Sequence, residues 1–196
     1  MRLLPKGGMD RDERGPGRLG PRTAHLGGDL FGATMKAFQD YYPDELAQCF
    51  GCGRLNERGH HLRSFWVGDT AEARFTPEPF HIAIPGWVNG GLIASLIDCH
   101  GTGIAAAAAY RAEGREMDSS PPHRFVTASL RVDYLRPTPL GPELLLRGTV
   151  RSVTRRKVVV EVTVFVGEEV TARGEVVAVE MPDSMRIGDS RAPPAP

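Results

Sequence analysis

Apolar positions follow two different periods along this chain, and the change of period separates predicted strands from one predicted helix. Residues 61–67 and 71–76 are predicted strands joined at Gly68 and Asp69, a turn composition typical of a hairpin. Residues 90–112 are apolar almost throughout, which predicts a long helix. Such a helix must be buried on most sides, and a sheet curled around it can bury it.

The second half of the chain is predicted to be mainly strand. Residues 126–134 alternate strictly, with a predicted buried face formed by Val126, Ala128, Leu130, Val132 and Tyr134. Residues 144–153, 157–166 and 169–180 are Val-rich, and their short connections favour an antiparallel meander. The predicted fold class is therefore α+β, with an antiparallel sheet of about six strands around one long central helix.

Composition divides the chain into one predicted domain and two tails. Residues 1–33 are rich in Gly, Arg and Pro without periodicity, and residues 183–196 are similar, so both are predicted to be disordered. Residues 34–182 form the predicted domain. Within it, residues 37–48 are a predicted short helix interrupted near Pro43, and residues 77–89 and 113–124 are predicted loops.

Charge and cysteine content disfavour several classes of protein. The 24 basic and 24 acidic residues balance, so charge gives no reason to expect binding to nucleic acid. Three cysteines are too few for a disulfide framework, and we find no secretory signal, so we expect a cytoplasmic protein. Asp98, His100 and four glycines interrupt the apolar run, which favours a buried helix over a membrane span.

The candidate catalytic groups lie at the start and in the middle of the predicted helix. Backbone N–H groups at a helix N-terminus are unpaired and partly positive, and glycine at positions 90 and 91 lets a ligand carbonyl approach them. Asp98 is a carboxylate in an apolar run, which costs free energy unless a site uses it. The combination predicts acyl chemistry.

The spacing of these groups predicts that one chain is not sufficient. Gly90 and Asp98 are eight residues apart in the sequence, which is about 12 Å along a helix axis. Both must lie within about 3–4 Å of one carbonyl group to act on it together. Two antiparallel helices related by a two-fold axis meet this requirement, which predicts a site shared by two copies in a homodimer.

Several short motifs occur in an order that resembles one known family. They are Cys49-Phe50-Gly51-Cys52-Gly53, Asn89-Gly90-Gly91 with Asp98, Val126-Thr127-Ala128-Ser129-Leu130, Asp133-Tyr134-Leu135-Arg136-Pro137, Gly141 and Arg155-Arg156-Lys157. Together, over residues 49–180, they resemble the hotdog-fold acyl-CoA thioesterases of the phenylacetate-degradation type. The resemblance implies a homodimer, or a dimer of dimers, that hydrolyses an aryl, short-chain or medium-chain acyl-CoA without a metal or other cofactor.

The resemblance also implies roles for individual residues. The Gly90 N–H would polarise the thioester carbonyl, and Asp98 would act as general base or as nucleophile. Thr127 matches the family's hydroxyl residue near this carboxylate. Strand alternation places Thr127 opposite the predicted buried face, so a solvent-facing threonine is an equally good interpretation.

The chain departs from the family pattern near the helix start. Asn89 stands where the family has His, and an amide can donate a hydrogen bond but cannot take a proton, so Asn89 is a candidate catalytic residue only as a donor. Ala83 stands where the family has Asn, and His81 is a candidate substitute, with a loop histidine as the alternative interpretation. These departures favour, as the alternative function, a hotdog dimer that binds and senses acyl-CoA without hydrolysing it. The presence of Asp98 argues against that alternative, because a protein that only binds acyl-CoA gains nothing from burying an unpaired carboxylate.

Further candidate residues would bind the substrate. Gly91 and His81 lie next to the predicted oxyanion site, and four basic residues could bind the phosphates of coenzyme A, namely Arg136, Arg155, Arg156 and Lys157. The alternative interpretation of the basic cluster is a solvated turn. His100 is about 200° around the helix from Asp98. That angle argues against the Asp/His pair of hydratases on this fold and favours packing or a hydrogen bond at an interface.

Cys49 and Cys52 are separated by two residues, which is the spacing of one pair of cysteine ligands in a structural zinc site. His60 and His61 follow, but adjacent histidines are a poor second pair of ligands. A turn without metal is the favoured interpretation, and Cys99 is expected to be a small buried apolar residue.

Overall fold

The structure is a computed structural model that describes residues 35–185. The predicted N-terminal extension, residues 1–33, and most of the predicted C-terminal tail lie outside the described residues. The regular elements are β1 (Ser64–Val67), β2 (Thr70–Phe75), β3 (Ile82–Ile84), β4 (Trp87–Val88), α1 (Gly90–Ala112), β5 (Phe125–Tyr134), β6 (Leu144–Val153), β7 (Lys157–Val166) and β8 (Glu169–Glu180). Short 3₁₀ turns occur at Phe38–Tyr41, Asp44–Leu46, Pro79–His81 and Asp183–Met185.

Six strands form one antiparallel sheet in the order β1-β2-β6-β7-β8-β5, and α1 packs across one face. Alternate residues of β7 are fully buried, which is the pattern of a strand in the middle of a half-covered sheet. This arrangement confirms the predicted α+β class and the hotdog fold. The bounds predicted for α1 and for β6, β7 and β8 are also confirmed.

Helix α1 lies close to the sheet because small residues face it. A Cβ atom on Gly101 would come within 2.5 Å of the Val176 side chain, and one on Gly148 within 2.1 Å of Ile104. By length and composition α1 could cross a membrane, but 78% of its most apolar stretch is buried inside the protein. Its hydrophobic character is thus accounted for by the core of this fold.

His100 belongs to a buried polar network that fastens α1 to the sheet. Its Nε2 donates to the carbonyl of Ala71 (3.3 Å), so its Nδ1 accepts from the hydroxyl of Ser64 (2.8 Å). Gln39 completes the network by donating to the Ser64 hydroxyl and accepting from the Ser64 N–H. Burial lowers the pKa of His100 to about 4, so the ring is neutral in this network. The expected structural role of His100 is confirmed.

Two local predictions were wrong. Residues 37–48 form two 3₁₀ turns rather than a short helix, because Pro43 lacks an N–H and disfavours helical geometry in the preceding residue. Residues 82–88, predicted as loop, contain the small antiparallel pair β3–β4, which turns at Gly86 with φ of 87°. These strands are two and three residues long, too short to produce a detectable alternation.

The alternation predicted for β5 was also wrong over its first half. A bulge between Thr127 and Ser129 inserts one unpaired residue, so the alternation resets there. Thr127 pairs with Ala178, and Leu130 pairs with Val176, both of which are fully buried under α1. Because paired residues share a face, Thr127 faces the helix together with Leu130.

Candidate active site

Asn89 caps the start of α1 and determines which backbone groups remain available there. Its Oδ1 accepts from the N–H of Gly91 (2.8 Å) and of Leu92 (3.3 Å). In the described part of the chain no acceptor binds the Gly90 N–H. The helix start therefore presents the Gly90 N–H as its available donor, while the Gly91 N–H, a predicted substrate contact, already has a partner.

Tyr134 holds the same turn from the other side. Its hydroxyl donates to the Gly90 carbonyl at 2.7 Å, and a Cβ on Gly90 would lie 3.3 Å from that hydroxyl. The sequence prediction missed this contact. Tyr134 had been assigned to the helix-facing side of β5, and a phenol on a buried face usually finds a hydrogen-bond partner, which is a signal that could have identified it.

Asp98 and Thr127 are in direct contact. The Thr127 hydroxyl donates a hydrogen bond to Asp98 Oδ1 from the helix-facing side of β5. Burial raises the pKa of the Asp98 carboxyl, the Thr127 hydrogen bond lowers it, and the nearby Cys49 raises it. A half-buried carboxylate oriented by a hydroxyl is suited to accept a proton or to attack a carbonyl.

His81, a predicted substrate contact, is buried beside the helix start. Its carbonyl accepts from the Asn89 N–H (2.9 Å), and its Nδ1 accepts from the Glu78 N–H (2.8 Å). The proton of the neutral ring therefore lies on Nε2, which has no partner among the described residues. Burial lowers the pKa of His81, whereas the charge of Glu78 raises it.

The predicted basic residues do not form one cluster in a single chain. Arg136 follows β5, its N–H donates to the Thr171 carbonyl, and its guanidinium pairs with Glu169. Arg156 lies at the other end of β8, where its carbonyl accepts from the Glu180 N–H (3.0 Å). Thr171 and Glu180 are nine residues apart on one strand, or about 30 Å. Arg136 and the turn containing Arg155, Arg156 and Lys157 therefore cannot bind the same phosphate group from one chain.

The same separation applies to the catalytic candidates. Gly90 contacts Tyr134 at the end of β5, and Asp98 contacts Thr127 near the start of β5. Gly90 and Asp98 therefore lie beside opposite ends of that strand. Within one chain, Gly90 and Asp98 are about two turns of helix apart, or about 12 Å. Because α1 is one continuous helix from Gly90 to Ala112, the separation calculated from the sequence also applies to the folded chain.

Three comparisons with known proteins bear on this geometry. The sequence model of the thioesterase superfamily matches residues 85–173, which contain both Gly90 and Asp98. A thioesterase superfamily protein from Shewanella loihica PV-4 is 54% identical, and the match covers 62% of this chain and 91% of that protein with a TM-score of 0.52.

More distant matches share the fold or a segment of sequence. A phenylacetic acid degradation-related protein from Ralstonia eutropha JMP134 is 15% identical over 61% of this chain and 85% of its own, with a TM-score of 0.52. Acyl-coenzyme A thioesterase THEM4 from Xenopus laevis is 34% identical over 84 residues, or 43% of this chain. This chain spans about a third of that curated relative, since the match covers 32% of its length.

Proposed function

Because the chain belongs to the thioesterase superfamily, we propose that it hydrolyses the thioester bond of an acyl-CoA to a free acid and coenzyme A. The observation that carries this proposal is the contact between Asp98 and Thr127 on the central helix. A half-buried carboxylate with a raised pKa on a largely apolar helix costs free energy, and a role in acyl transfer accounts for its presence.

In the proposed reaction the Gly90 N–H donates to the carbonyl oxygen of the thioester and stabilises the oxyanion that develops there. Asp98 takes a proton from water as the water oxygen attacks the carbonyl carbon; the carbon–sulfur bond then breaks, and that proton passes to the sulfur, which leaves as the thiol of coenzyme A. In the alternative two-step route the Asp98 carboxylate attacks the carbonyl carbon and coenzyme A leaves as a thiolate. Water then hydrolyses the mixed anhydride on Asp98, which releases the free acid and the proton that the thiolate takes up. Asn89 supports the reaction through its cap, which orients the first turn of α1.

The proposed enzyme is a dimer in which two β5 strands pair. Strand β5 is an edge of the sheet, and residues 127–131 along it are exposed. A long edge strand with unpaired backbone groups is a template for another strand. An antiparallel pairing of two copies brings the Tyr134 end of one strand beside the Thr127 end of the other. Gly90 of one copy then lies near Asp98 of the second.

The same pairing unites the separated basic residues. Phe125 pairs with Glu180, so the start of β5 lies beside the turn containing Arg156. Antiparallel pairing brings Arg136 at the end of one β5 toward the start of β5 in the second copy. Arg136 of one subunit and residues 155–157 of the other would then approach a single coenzyme A from two sides.

A thiol-release assay tests the activity. The protein is incubated with phenylacetyl-CoA, benzoyl-CoA and straight-chain acyl-CoAs of short and medium length, and free thiol is measured. We expect release with at least one substrate, and we expect Asp98→Asn to abolish release while acyl-CoA binding persists. An Asp98→Asn protein with wild-type rates would overturn the catalytic assignment. If every acyl-CoA binds and none releases free thiol, the protein is instead an acyl-CoA sensor. The observation that supports this second function is Asn89, which stands where the family has His.

Edge-strand variants test the dimer. Leu130 lies near the middle of β5 and is 37% exposed, and Val67 on the opposite edge strand is a matched control at 39%. We expect Leu130→Lys to place like charges close together in the two β5 strands, which dissociates the dimer and removes activity. We expect Val67→Lys to change neither. Sedimentation measurements that give the same mass for both variants would overturn the proposed pairing.

A further inference from the structure

The three cysteines of this chain converge at one place beside α1. Their sulfur atoms all lie within 4.8 Å of one another, and the Cys49 and Cys99 sulfurs are 3.6 Å apart. Cys52 and Cys99 are buried, whereas Cys49 is exposed, so the cluster is open on one side. The sequence interpretation had treated Cys49 and Cys52 as a turn and Cys99 as an isolated apolar residue.

The backbone around Cys49 is shaped to bring these sulfurs together. A Cβ on Gly51 would lie 2.3 Å from the Cys99 sulfur, so only glycine allows the turn to contact Cys99 this closely. A Cβ on Gly53 would lie 2.4 Å from the Cys49 nitrogen, and the Gly53 N–H closes the turn on the Cys49 carbonyl at 2.8 Å. Both glycines therefore serve the convergence of the three thiols.

The cluster places three groups that can become thiolates next to one another. Three thiolates this close would repel one another, and a cation among them removes that repulsion.

We propose that Cys49, Cys52 and Cys99 bind a thiophilic divalent cation of the zinc type, with a fourth coordination position open toward solvent. In a tetrahedral zinc site with a Zn–S distance of about 2.3 Å, sulfurs are about 3.8 Å apart. The Cys49 and Cys99 sulfurs are 3.6 Å apart, and the Cys52 sulfur lies within 4.8 Å of both. The ion links the Cys49–Cys52 turn to the helical turn that contains Asp98. Binding releases a proton from each thiol that is still protonated.

Metal titration of the reduced 196-residue chain tests this proposal. We expect one zinc ion per chain by elemental analysis, and Co²⁺ in its place should give a thiolate-to-cobalt charge-transfer band with the visible bands of tetrahedral coordination. Cys49→Ser changes an exposed residue and so should preserve the fold. It should weaken zinc binding by more than about 100-fold, since even residues that only orient metal ligands contribute about 10- to 100-fold. Zinc should raise the melting temperature of the wild-type chain but not of Cys49→Ser.

His60→Asn and His61→Asn are the controls, because these histidines are the other zinc ligands that the sequence offers nearby. Both variants should bind zinc as the wild type does. The proposal is wrong if the reduced wild-type chain gives no tetrahedral cobalt spectrum, if Cys49→Ser binds zinc equally well, or if a histidine variant loses the metal.

Discussion

Replacing Gly90 with proline removes the proposed oxyanion donor and leaves the helix cap in place. Proline lacks the backbone N–H, and the first position of a helix is where proline is best tolerated. The preceding residue, Asn89, has φ of −63° and ψ of 130°, which is the extended conformation that a residue before proline prefers. The cap remains, because Asn89 accepts from the N–H groups of Gly91 and Leu92.

The matched control is Gly90→Ala, which retains the N–H. A Cβ at this position would lie 3.3 Å from the Tyr134 hydroxyl, so both variants displace Tyr134 by a few tenths of an ångström. Their difference therefore isolates the N–H. Removing one oxyanion donor costs roughly 2.7–4 kcal/mol in the transition state, or about 10²- to 10³-fold in kcat.

Steady-state thiol release with the best acyl-CoA measures this difference. We expect Gly90→Pro to have a kcat about 10²- to 10³-fold below that of Gly90→Ala, with equal melting temperatures. If the two variants agree within about threefold while both are folded, the Gly90 N–H does not stabilise the transition state.

A heterodimer shows whether the donor and the acid come from different chains. Gly90→Pro and Asp98→Asn subunits with different affinity tags are co-expressed, and the mixed dimer is isolated. One of its two sites then has both native groups and the other has neither, so we expect about half of the wild-type activity per dimer. An inactive heterodimer would show that both groups act within one chain.

Three further predictions concern the site and the fold. Thr127→Val should lower kcat by about 10- to 100-fold, because the hydrogen bond to the Asp98 carboxylate is lost. Thr127→Ser keeps the hydroxyl and should retain activity. Equal losses of activity in the two variants would refute the role of this hydrogen bond. Gly101→Ala should lower the free energy of unfolding in urea by about 1–3 kcal/mol, since the added Cβ would lie 2.5 Å from the Val176 side chain on β8. An unchanged urea midpoint would refute the close packing of α1 on β8. Burial lowers the pKa of His81, which lies beside His60 and Glu78. The unfolded chain therefore binds more protons at this position below about pH 6.5, and stability falls with falling pH. The buried His100 contributes to the same dependence, because its pKa is also lowered. His81→Phe should therefore make the dependence less steep, and a curve parallel to that of the wild type would contradict the contribution of His81.

Much of the fold could be predicted because its signals are local. Helix α1 begins at Gly90 after a capping Asn89 and continues while the sequence is apolar, and both features are visible in neighbouring residues. Strands β7 and β8 are separated at Gly167, where φ of 59° suits glycine. The prediction that a second copy completes the site rests on the helical rise between Gly90 and Asp98, which is also a local property.

The remaining features depend on contacts between residues far apart in the sequence. The bulge in β5 turns Thr127 toward Asp98, and strict alternation had placed it on the opposite face. Cys99 joins Cys49 and Cys52 from a helix about fifty residues away. A period along the chain specifies which residues share a face of one element. The register between elements, and therefore which side chains meet, is decided only when the strands pair and the helix packs on them.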